Sequence, residues 1–403
     1  MKETTTINPR RITAHYAAAF AVYFAAFCMV RSFIAVYLSD RGFTYTQVGL
    51  ITSIHTFFTA AIQPNFSAIL NRLRKITLKQ FITLCCVPSI LCSLLTFVLP
   101  AKLIFFLPIY ILFGLFEIGL QSLMVSLGME YVNAGIPIDP GIGRGFGSVG
   151  YAAANILLGM LIVRFGSPIS HKLNIALLVL LFVLLMTLPD PQLLRTPGSE
   201  KRDRSEPSDN LGVFLRNNSV FAMFAIATVF IFFGHSVVNT YLPNVAAQFG
   251  LGSDFAGWMN GLAAGLELIP MMFYARITKK FSPLTLLKVS AVFFSIKLLT
   301  AALARNGLSL AVSESMQIFA YSLFAMSSIY FANQAVQPRN RVMAQGLLVG
   351  ANEGGFMIGG LVGGIVLDHS GIRTLLWMGV VMTVIGSFLM ISAVRKYTQT
   401  ARA

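Results

Sequence analysis

The chain has 403 residues, of which 56% are hydrophobic and only 11% are charged. Because soluble domains carry about 25% charged residues, this composition excludes a soluble enzyme and a nucleic-acid-binding protein. The apolar residues recur in runs of about 20, which is the length of a helix that crosses a bilayer. The formal net charge is +15, because 30 lysines and arginines face only 15 acidic residues.

Twelve apolar segments follow one another along the chain, and each is predicted to be a transmembrane helix. In chain order, segments one to twelve cover residues 13–38, 45–70, 77–99, 102–129, 144–164, 172–189, 218–245, 254–276, 283–304, 308–334, 342–367 and 373–394. The polar interval 190–217 contains three prolines and a mixed charge run, and we predict a cytoplasmic linker there. The predicted fold is an all-α polytopic membrane protein, with six-helix bundles at 1–189 and 218–403.

The positive charge is distributed unevenly between the two sides of the predicted membrane segments. If the amino terminus is cytoplasmic, 22 of the 30 lysines and arginines lie on the cytoplasmic side and 6 on the other. Such a bias follows the positive-inside rule. We therefore expect both termini and the linker in the cytoplasm of a bacterium, with the helices crossing its inner membrane. The excess of lysines and arginines is then explained by the orientation of the chain in the membrane, and it does not indicate an acidic partner.

Ionisable residues inside apolar segments are the first candidates for function, because each costs about 2.5–3.5 kcal/mol at membrane depth. They are Arg31, Glu117, His235, Glu267, Lys297, Glu314 and Glu353. Neutralised structural pairs are the alternative reading for some of them, and a packed neutral ring is the alternative for His235. Glu314 and Gln317 share a helix face, and Asn352 lies beside Glu353. We expect such polar faces to line a central cavity.

Several other patterns bear on catalysis and packing. The four cysteines lie in apolar runs without the spacing of a metal site. No phosphate loop or nucleophile constellation is present in the sequence, so we predict no enzyme activity, no cofactor and no metal site. Glycines at positions 355, 359 and 363, and again at 360 and 364, repeat every four residues and predict close helix packing.

The arrangement of two six-helix halves with a polar linker resembles the major facilitator superfamily of transporters. The stretch from Pro64 to Lys75 is similar to the loop signature between helices two and three of that superfamily. Asn71 stands where the signature usually has an aspartate. A proline and a basic loop recur at the end of segment eight, at Pro270 and from Arg276 onwards, which indicates two related halves.

The sequence between segments four and five resembles the sugar-binding segment of the lactose permease group of oligosaccharide:proton symporters. In that group a glutamate and an arginine bind sugar hydroxyls while an aromatic ring stacks on the sugar. Glu130, Arg144 and Tyr151 occupy those places here, and Ser148 is expected to face the site. A carboxylate and a guanidinium supply directed hydrogen bonds, and an aromatic face suits a pyranose. The alternative is that Glu130 and Arg144 merely flank a loop.

The second half of the chain resembles the same group less fully. The segment that ends at Glu267 is similar to the acidic site of its eighth helix, and also to bacterial sugar-efflux transporters. Lys297 falls where the symporters carry an arginine. In segment ten, Gln317 and Ala320 stand where lactose permease has a histidine and a glutamate. If protons are coupled, Glu267 or Glu314 must therefore carry them.

The resemblance implies a monomeric secondary transporter in the lipid bilayer that moves a sugar or related polar solute by alternating access, coupled to protons. The residues expected to contact the substrate are Glu117, Glu130, Arg144, Ser148, Tyr151, Gln317 and Asn352. The residues expected to couple ions are Arg31, Glu267, Lys297, Glu314 and Glu353. A proton-driven exporter of sugars or drugs is the alternative function, and sodium is the alternative ion. A non-transporting sensor is disfavoured, because it has no need of buried charges.

Overall fold

The computed structural model describes residues 9–62, 76–136, 138, 140–191, 211–337 and 340–400. Regular structure in these ranges is entirely helical, without a strand. Seven of the described helices are long and apolar enough to cross a membrane, and the longest turns at Gly371 and so contains segments eleven and twelve. These features confirm the predicted all-α polytopic membrane fold.

The helices are numbered in chain order. They are α1 (Pro9–Arg31), α2 (Ile34–Asp40), α3 (Tyr45–Ile62), α4 (Leu78–Val98), α5 (Leu103–Phe113), α6 (Leu120–Asn133), α7 (Pro140–Phe165), α8 (Ile169–Thr187), α9 (Leu211–Asn217), α10 (Ser219–Ala247), α11 (Ser253–Met272), α12 (Tyr274–Ile277), α13 (Pro283–Ala302), α14 (Gly307–Ser315), α15 (Tyr321–Gln334) and α16 (Arg341–Thr400). Each of the twelve predicted segments contains a helix.

Two predicted features fall largely outside the described residues. The signature loop from Pro64 to Lys75 is one of them, and most of the predicted linker, residues 192–210, is the other. Helix α9 begins inside the predicted linker and buries Phe214 against Phe221 of α10, with ring centroids 5.6 Å apart. The division of the chain into two domains stays a prediction. We use "N-terminal half" for α1–α8 and "C-terminal half" for α9–α16.

Segments four and ten are interrupted where the sequence predicts continuous helices. In segment four, a π turn at Gly114–Ile118 separates α5 from α6. In segment ten, a 3₁₀ turn at Met316–Ile318 separates α14 from α15. Such turns inside a helix often mark functional sites. The two segments hold corresponding positions, fourth in each half, and paired interruptions of this kind point to the binding region of transporters built from repeats.

The two halves pack against each other at the end of the molecule opposite to the chain termini, which we call the joined end. One apolar cluster there contains residues of both halves, among them Phe33, Val48, Tyr241 and Leu375. Two further clusters extend toward the termini, and in the described residues each draws on one half only. The described packing between the halves is therefore concentrated at one end.

Glycines allow the backbones to approach where the halves meet. A Cβ added at Gly159 of α7 would lie 2.6 Å from the carbonyl oxygen of Ser253 on α11. A Cβ at Gly49 of α3 would lie 2.5 Å from the carbonyl oxygen of Gly360 on α16. Real side chains do not tolerate these distances, so the α7–α11 and α3–α16 crossings depend on glycine.

Helix α16 uses its glycines on two faces. Gly355 and Gly359 approach the backbone of α10 within the C-terminal half, whereas Gly360 and Gly364 approach α3 of the other half. The four-residue repeat in the sequence therefore corresponds to close packing with two different helices, as the pattern predicts.

Asp368 of α16 adds a polar connection between the halves. Its Oδ1 accepts a hydrogen bond from the backbone N–H of Tyr45 at 3.0 Å, and its Oδ2 accepts one from Thr46 at 2.6 Å. These N–H groups belong to the first turn of α3, where helices leave donors unpaired and where the helix dipole favours negative charge. The carboxylate thus caps a helix of the opposite half.

Candidate substrate and ion site

A chain of hydrogen bonds joins four polar side chains inside the C-terminal half. Lys297 Nζ of α13 donates to Glu314 Oε2 at 2.9 Å and to Gln317 Oε1 at 2.8 Å. Gln317 Nε2 donates in turn to Glu267 Oε1 of α11 at 2.8 Å. We call these four residues the acid–lysine cluster. The 3₁₀ turn contributes to it directly, because it carries the Gln317 side chain that lies between lysine and glutamate.

Burial and charge make this cluster unusual for a membrane segment. Lys297, Glu314 and Gln317 are each less than 5% exposed, whereas Glu267 is half-buried. Lys297 and Glu314 form an ion pair, with Nζ and Oε2 2.9 Å apart. The cluster contains one lysine and two carboxyl groups, so the charges of its four side chains sum to −1 when both glutamates are ionised. One proton would bring this sum to zero.

Aromatic rings lie beside the cluster in the same half. His235 of α10 stacks on Tyr321 of α15, with centroids 5.7 Å apart and ring planes 19° apart. Phe356 of α16 meets His235 edge-on at 5.5 Å, and Phe232 contacts both His235 and Tyr321. His235 is therefore a ring packed among rings, which agrees with the alternative reading of its role in the sequence.

Arg31 lies between the two halves. Its guanidinium carbon is 5.6 Å from the ring centroid of Phe27 in the N-terminal half and 5.4 Å from that of Phe356 in the other half. Such cation–π contacts suit a cation that is removed from water. Arg31 is also within electrostatic range of Glu353 on α16. Two predicted ion-coupling residues, one in each half, are thus close enough to interact electrostatically.

Tyr151 reaches the same region from α7. Its hydroxyl hydrogen-bonds Ser32 Oγ at 3.0 Å, and its ring centroid lies 6.1 Å from that of Phe27. Ser148, one turn earlier, is half-buried. The Arg144 side chain lies outside the described structure, so the predicted meeting of Glu130 and Arg144 stays a prediction.

Two other predicted substrate contacts occupy different places. Asn352 is half-buried on α16 beside Glu353. Glu117 is almost fully buried within the N-terminal half, where its Oε1 accepts a hydrogen bond from Asn174 Nδ2 at 2.8 Å. The sequence interpretation missed Asn174, because a neutral amide in an apolar segment carries no charge signal. It also missed Asp368, which lies just beyond the end of a predicted segment.

No group of three or more His, Cys, Asp or Glu side chains that could hold a metal ion occurs among the described residues. The described side chains of the site offer hydrogen bonding, charge pairing and ring stacking.

Comparison with known sequences and structures places this geometry in context. The sequence model of the MFS_1 like family matches residues 13–378. No curated protein sequence matches the chain. The crystal structure of the nucleoside transporter NupG is similar over 95% of this chain and 98% of that one, with 16% identity and a TM-score of 0.81.

Two further solved structures share the architecture at greater distance. The POT family transporter PepTSo has a TM-score of 0.71 at 11% identity, over 98% of each chain. A bacterial homologue of the human lysosomal transporter Spinster, solved in an inward-facing and unoccupied conformation, has a TM-score of 0.67 at 13% identity. That match covers 97% of this chain and 98% of the homologue. Identities this low establish the shared fold alone.

Proposed function

Because the chain belongs to the MFS_1 like family and is a multi-pass membrane transporter, we propose that it moves a polar ring solute, a sugar or a nucleoside, by alternating access coupled to protons. The observation that carries the proposal is the acid–lysine cluster next to aromatic rings. Carboxylate, amide and ammonium groups supply directed hydrogen bonds to hydroxyls. The faces of Tyr321 and Phe356 suit the apolar face of a sugar or a base.

The orientation of the chain belongs to the same proposal. With both termini in the cytoplasm of a bacterium and the helices in its inner membrane, the joined end is on the outer side. The conformation described here is then closed to the outside, and a solute would enter or leave from the cytoplasm. We propose that a monomer suffices, because the acid–lysine cluster lies within one chain.

We assign the coupled proton to Glu267 by comparing the two glutamates of the cluster. Glu314 is buried and pairs with Lys297 at 2.9 Å, whereas Glu267 is half-buried and accepts a hydrogen bond from Gln317. Glu267 is therefore the more accessible carboxyl group for proton exchange. Protonation removes its charge, and a neutral carboxyl group is carried between the two conformations at less cost than a charged one.

Uptake into proteoliposomes with an imposed pH gradient tests the function. The panel should contain hexoses, disaccharides and nucleosides, with lipophilic cations as probes for a drug exporter. We expect at least one sugar or nucleoside to accumulate only when the gradient is present. Accumulation driven by sodium without a pH gradient would contradict proton coupling, and transport of lipophilic cations alone would contradict the substrate class.

The variant Glu267→Gln separates coupling from binding. It keeps the hydrogen bond from Gln317 but cannot be ionised, so we expect gradient-driven accumulation to be abolished while downhill exchange continues. Asp40→Asn is the matched control, because it neutralises an exposed carboxylate at the end of α2. Unchanged accumulation in Glu267→Gln would exclude that residue as the coupling site.

The variant Arg144→Ala tests the predicted sugar contacts at the start of α7. We expect solute binding to the purified protein to fall at least tenfold, because a guanidinium that binds hydroxyls makes charge-assisted hydrogen bonds. Arg164→Ala, at the other end of the same helix, is the control. Equal affinities of the two variants would show that Arg144 only flanks a loop.

A further inference from the structure

Glu117 occupies an unusual environment in the N-terminal half. It lies in the π turn of segment four, and its side chain is 2% exposed. Its Oε1 accepts a hydrogen bond from Asn174 Nδ2 at 2.8 Å, and Asn174 Oδ1 accepts one from Ser93 Oγ at 2.7 Å. Its Oε2 has no hydrogen-bond partner among the described residues. One carboxyl oxygen is thus held in place and the other is unsatisfied.

The charge of Glu117 is not balanced by a direct partner. It borders a small cavity together with Arg31, His55 and three apolar side chains, but no described cation lies within 4.0 Å of its oxygens. Burying an ionised carboxylate without a hydrogen-bonded partner of opposite charge is costly. The neutral acid, with its O–H on Oε2, avoids most of that cost and leaves Oε1 as the carbonyl oxygen that Asn174 binds.

A metal cation fits this cavity less well than a proton does. Sodium and other hard cations need several oxygen ligands, whereas the remaining walls are Phe27, Val30 and Phe113. The Arg31 guanidinium would also repel a metal ion. A proton needs only the one free carboxyl oxygen.

The position of Glu117 in the chain adds an independent argument. Segments four and ten correspond in the two halves, and both are interrupted by a turn that is not α-helical. Glu117 lies within the first turn, and Glu314 lies two residues before the second. Both glutamates are nearly fully buried. Each half therefore has a buried acid at the interruption of its fourth segment, which is the kind of position that marks the binding region in transporters built from repeats.

We propose that Glu117 is a second proton-binding site, loaded in the present conformation and emptied when Arg31 pairs with it. Arg31 now contacts Phe356 of the other half at 5.4 Å. When the halves separate at the joined end, Arg31 loses that contact and can move to Glu117. The O–H bond of the carboxyl group then breaks, its proton passes to water in the opened cavity, and the carboxylate forms an ion pair with the guanidinium. This step rests on the proposed proton coupling of the transporter.

Other titratable side chains surround the site on several helices. They are Tyr23 and Arg31 of α1, His55 of α3, Cys86 and Cys92 of α4 and Tyr110 of α5. Arg31 is the one permanent cation in this group, so it alone supplies a charge that can replace the proton.

Infrared difference spectroscopy of the purified protein tests the site without any transport. Titration should reveal carbonyl bands of protonated carboxylic acids that shift in D₂O, and Glu267 is expected to contribute one of them. In a Glu267→Gln background we therefore expect a band that is lost after Glu117→Gln and kept after the control Glu314→Gln. Asn174→Leu in the same background should keep that band but move it to higher wavenumber, because the carbonyl oxygen loses its donor. A spectrum that Glu117→Gln leaves unchanged in this background would overturn the proposal.

The ratio of protons to solute provides a second readout. If Glu117 carries a proton in each cycle, Glu117→Gln should move one proton fewer per solute than the unaltered protein. An unchanged ratio would overturn the second site. If the unaltered protein shows no gradient-driven uptake, the proposed coupling fails, whereas the infrared result still decides whether Glu117 binds a proton.

Discussion

Replacing Asp368 by alanine should weaken the connection between the halves at the joined end. The carboxylate accepts hydrogen bonds from two backbone N–H groups in the first turn of α3, at 3.0 and 2.6 Å. Losing an N-terminal cap costs about 0.5–2 kcal/mol, and the helix dipole adds about 0.3–1 kcal/mol. Because Asp368 is exposed, water replaces part of this energy. We expect a net loss of about 1 kcal/mol, which is about a fivefold change in the equilibrium between closed and open states.

The assay needs a reporter that reacts only when this end opens. The four native cysteines are buried, and Thr52 of α3 faces Gly360 of the other half. In a Thr52→Cys background, labelling by a membrane-impermeant maleimide should be about fivefold faster after Asp368→Ala. The labelling rate is proportional to the population of molecules open at the joined end, as long as these molecules close faster than the maleimide reacts.

Asn306→Ala is the matched control for this experiment. Asn306 caps α14 by accepting a hydrogen bond from the backbone N–H of Ser309 at 2.9 Å, entirely within the C-terminal half. Its loss should cost similar stability without affecting the contact between the halves. If both alanine variants accelerate labelling equally, the effect is general destabilisation and the argument for Asp368 is refuted. No acceleration in Asp368→Ala would refute it directly.

Two further substitutions test the packing and the cluster. In Gly257→Leu the added Cβ would lie 2.5 Å from the carbonyl oxygen of Asn155. The rate of labelling at the joined end should therefore rise at least as much as in Asp368→Ala. A labelling rate equal to that of the unaltered protein would contradict the close α7–α11 contact. Lys297→Met leaves Glu314 buried without its cation, which should cost about 3–5 kcal/mol and lower the melting temperature in detergent. Adding Glu314→Gln to Lys297→Met should restore most of the lost stability. If the second substitution instead lowers the melting temperature further, the two residues are not energetically coupled.

The course of the backbone could be predicted from the sequence because a bilayer leaves few alternatives. Runs of about 20 apolar residues must be helical when no water is available to pair the backbone. The interruptions at Gly114–Ile118 and Met316–Ile318 could not be predicted in the same way. The first is accompanied by a hydrogen bond between Glu117 and Asn174, which are 57 residues apart. Contacts of that kind leave no periodic pattern in either segment.

The three charged members of the acid–lysine cluster could be selected from the sequence because charge at membrane depth is expensive, which makes each such residue conspicuous. The sequence could not predict which of these side chains pair, because the pairing depends on how α11, α13 and α14 are rotated about their axes. Asp368 does not stand out in the sequence for the same physical reason. At the end of a segment a charge costs little, so its position alone gave no reason to select it. Gln317 stands where the resemblance to lactose permease places a histidine, and in the structure it links Lys297 to Glu267.

One face of α16 connects the candidate site with the joined end. Along this face lie residues 353, 357, 360, 364 and 368, each three or four positions after the last. Glu353 is within range of Arg31, the carbonyl of Met357 accepts from Ser53, and the last three positions approach α3.

If this part of α16 moves as a rigid helix, opening the joined end also changes the position of Glu353 relative to Arg31. A solute can shift this equilibrium only by binding the two states with different affinity. The contacts of Asp368 and the glycines must therefore be weak enough for that difference to overcome. The exposed position of Asp368 keeps its contribution small, because water competes with the backbone N–H groups for the same carboxylate oxygens.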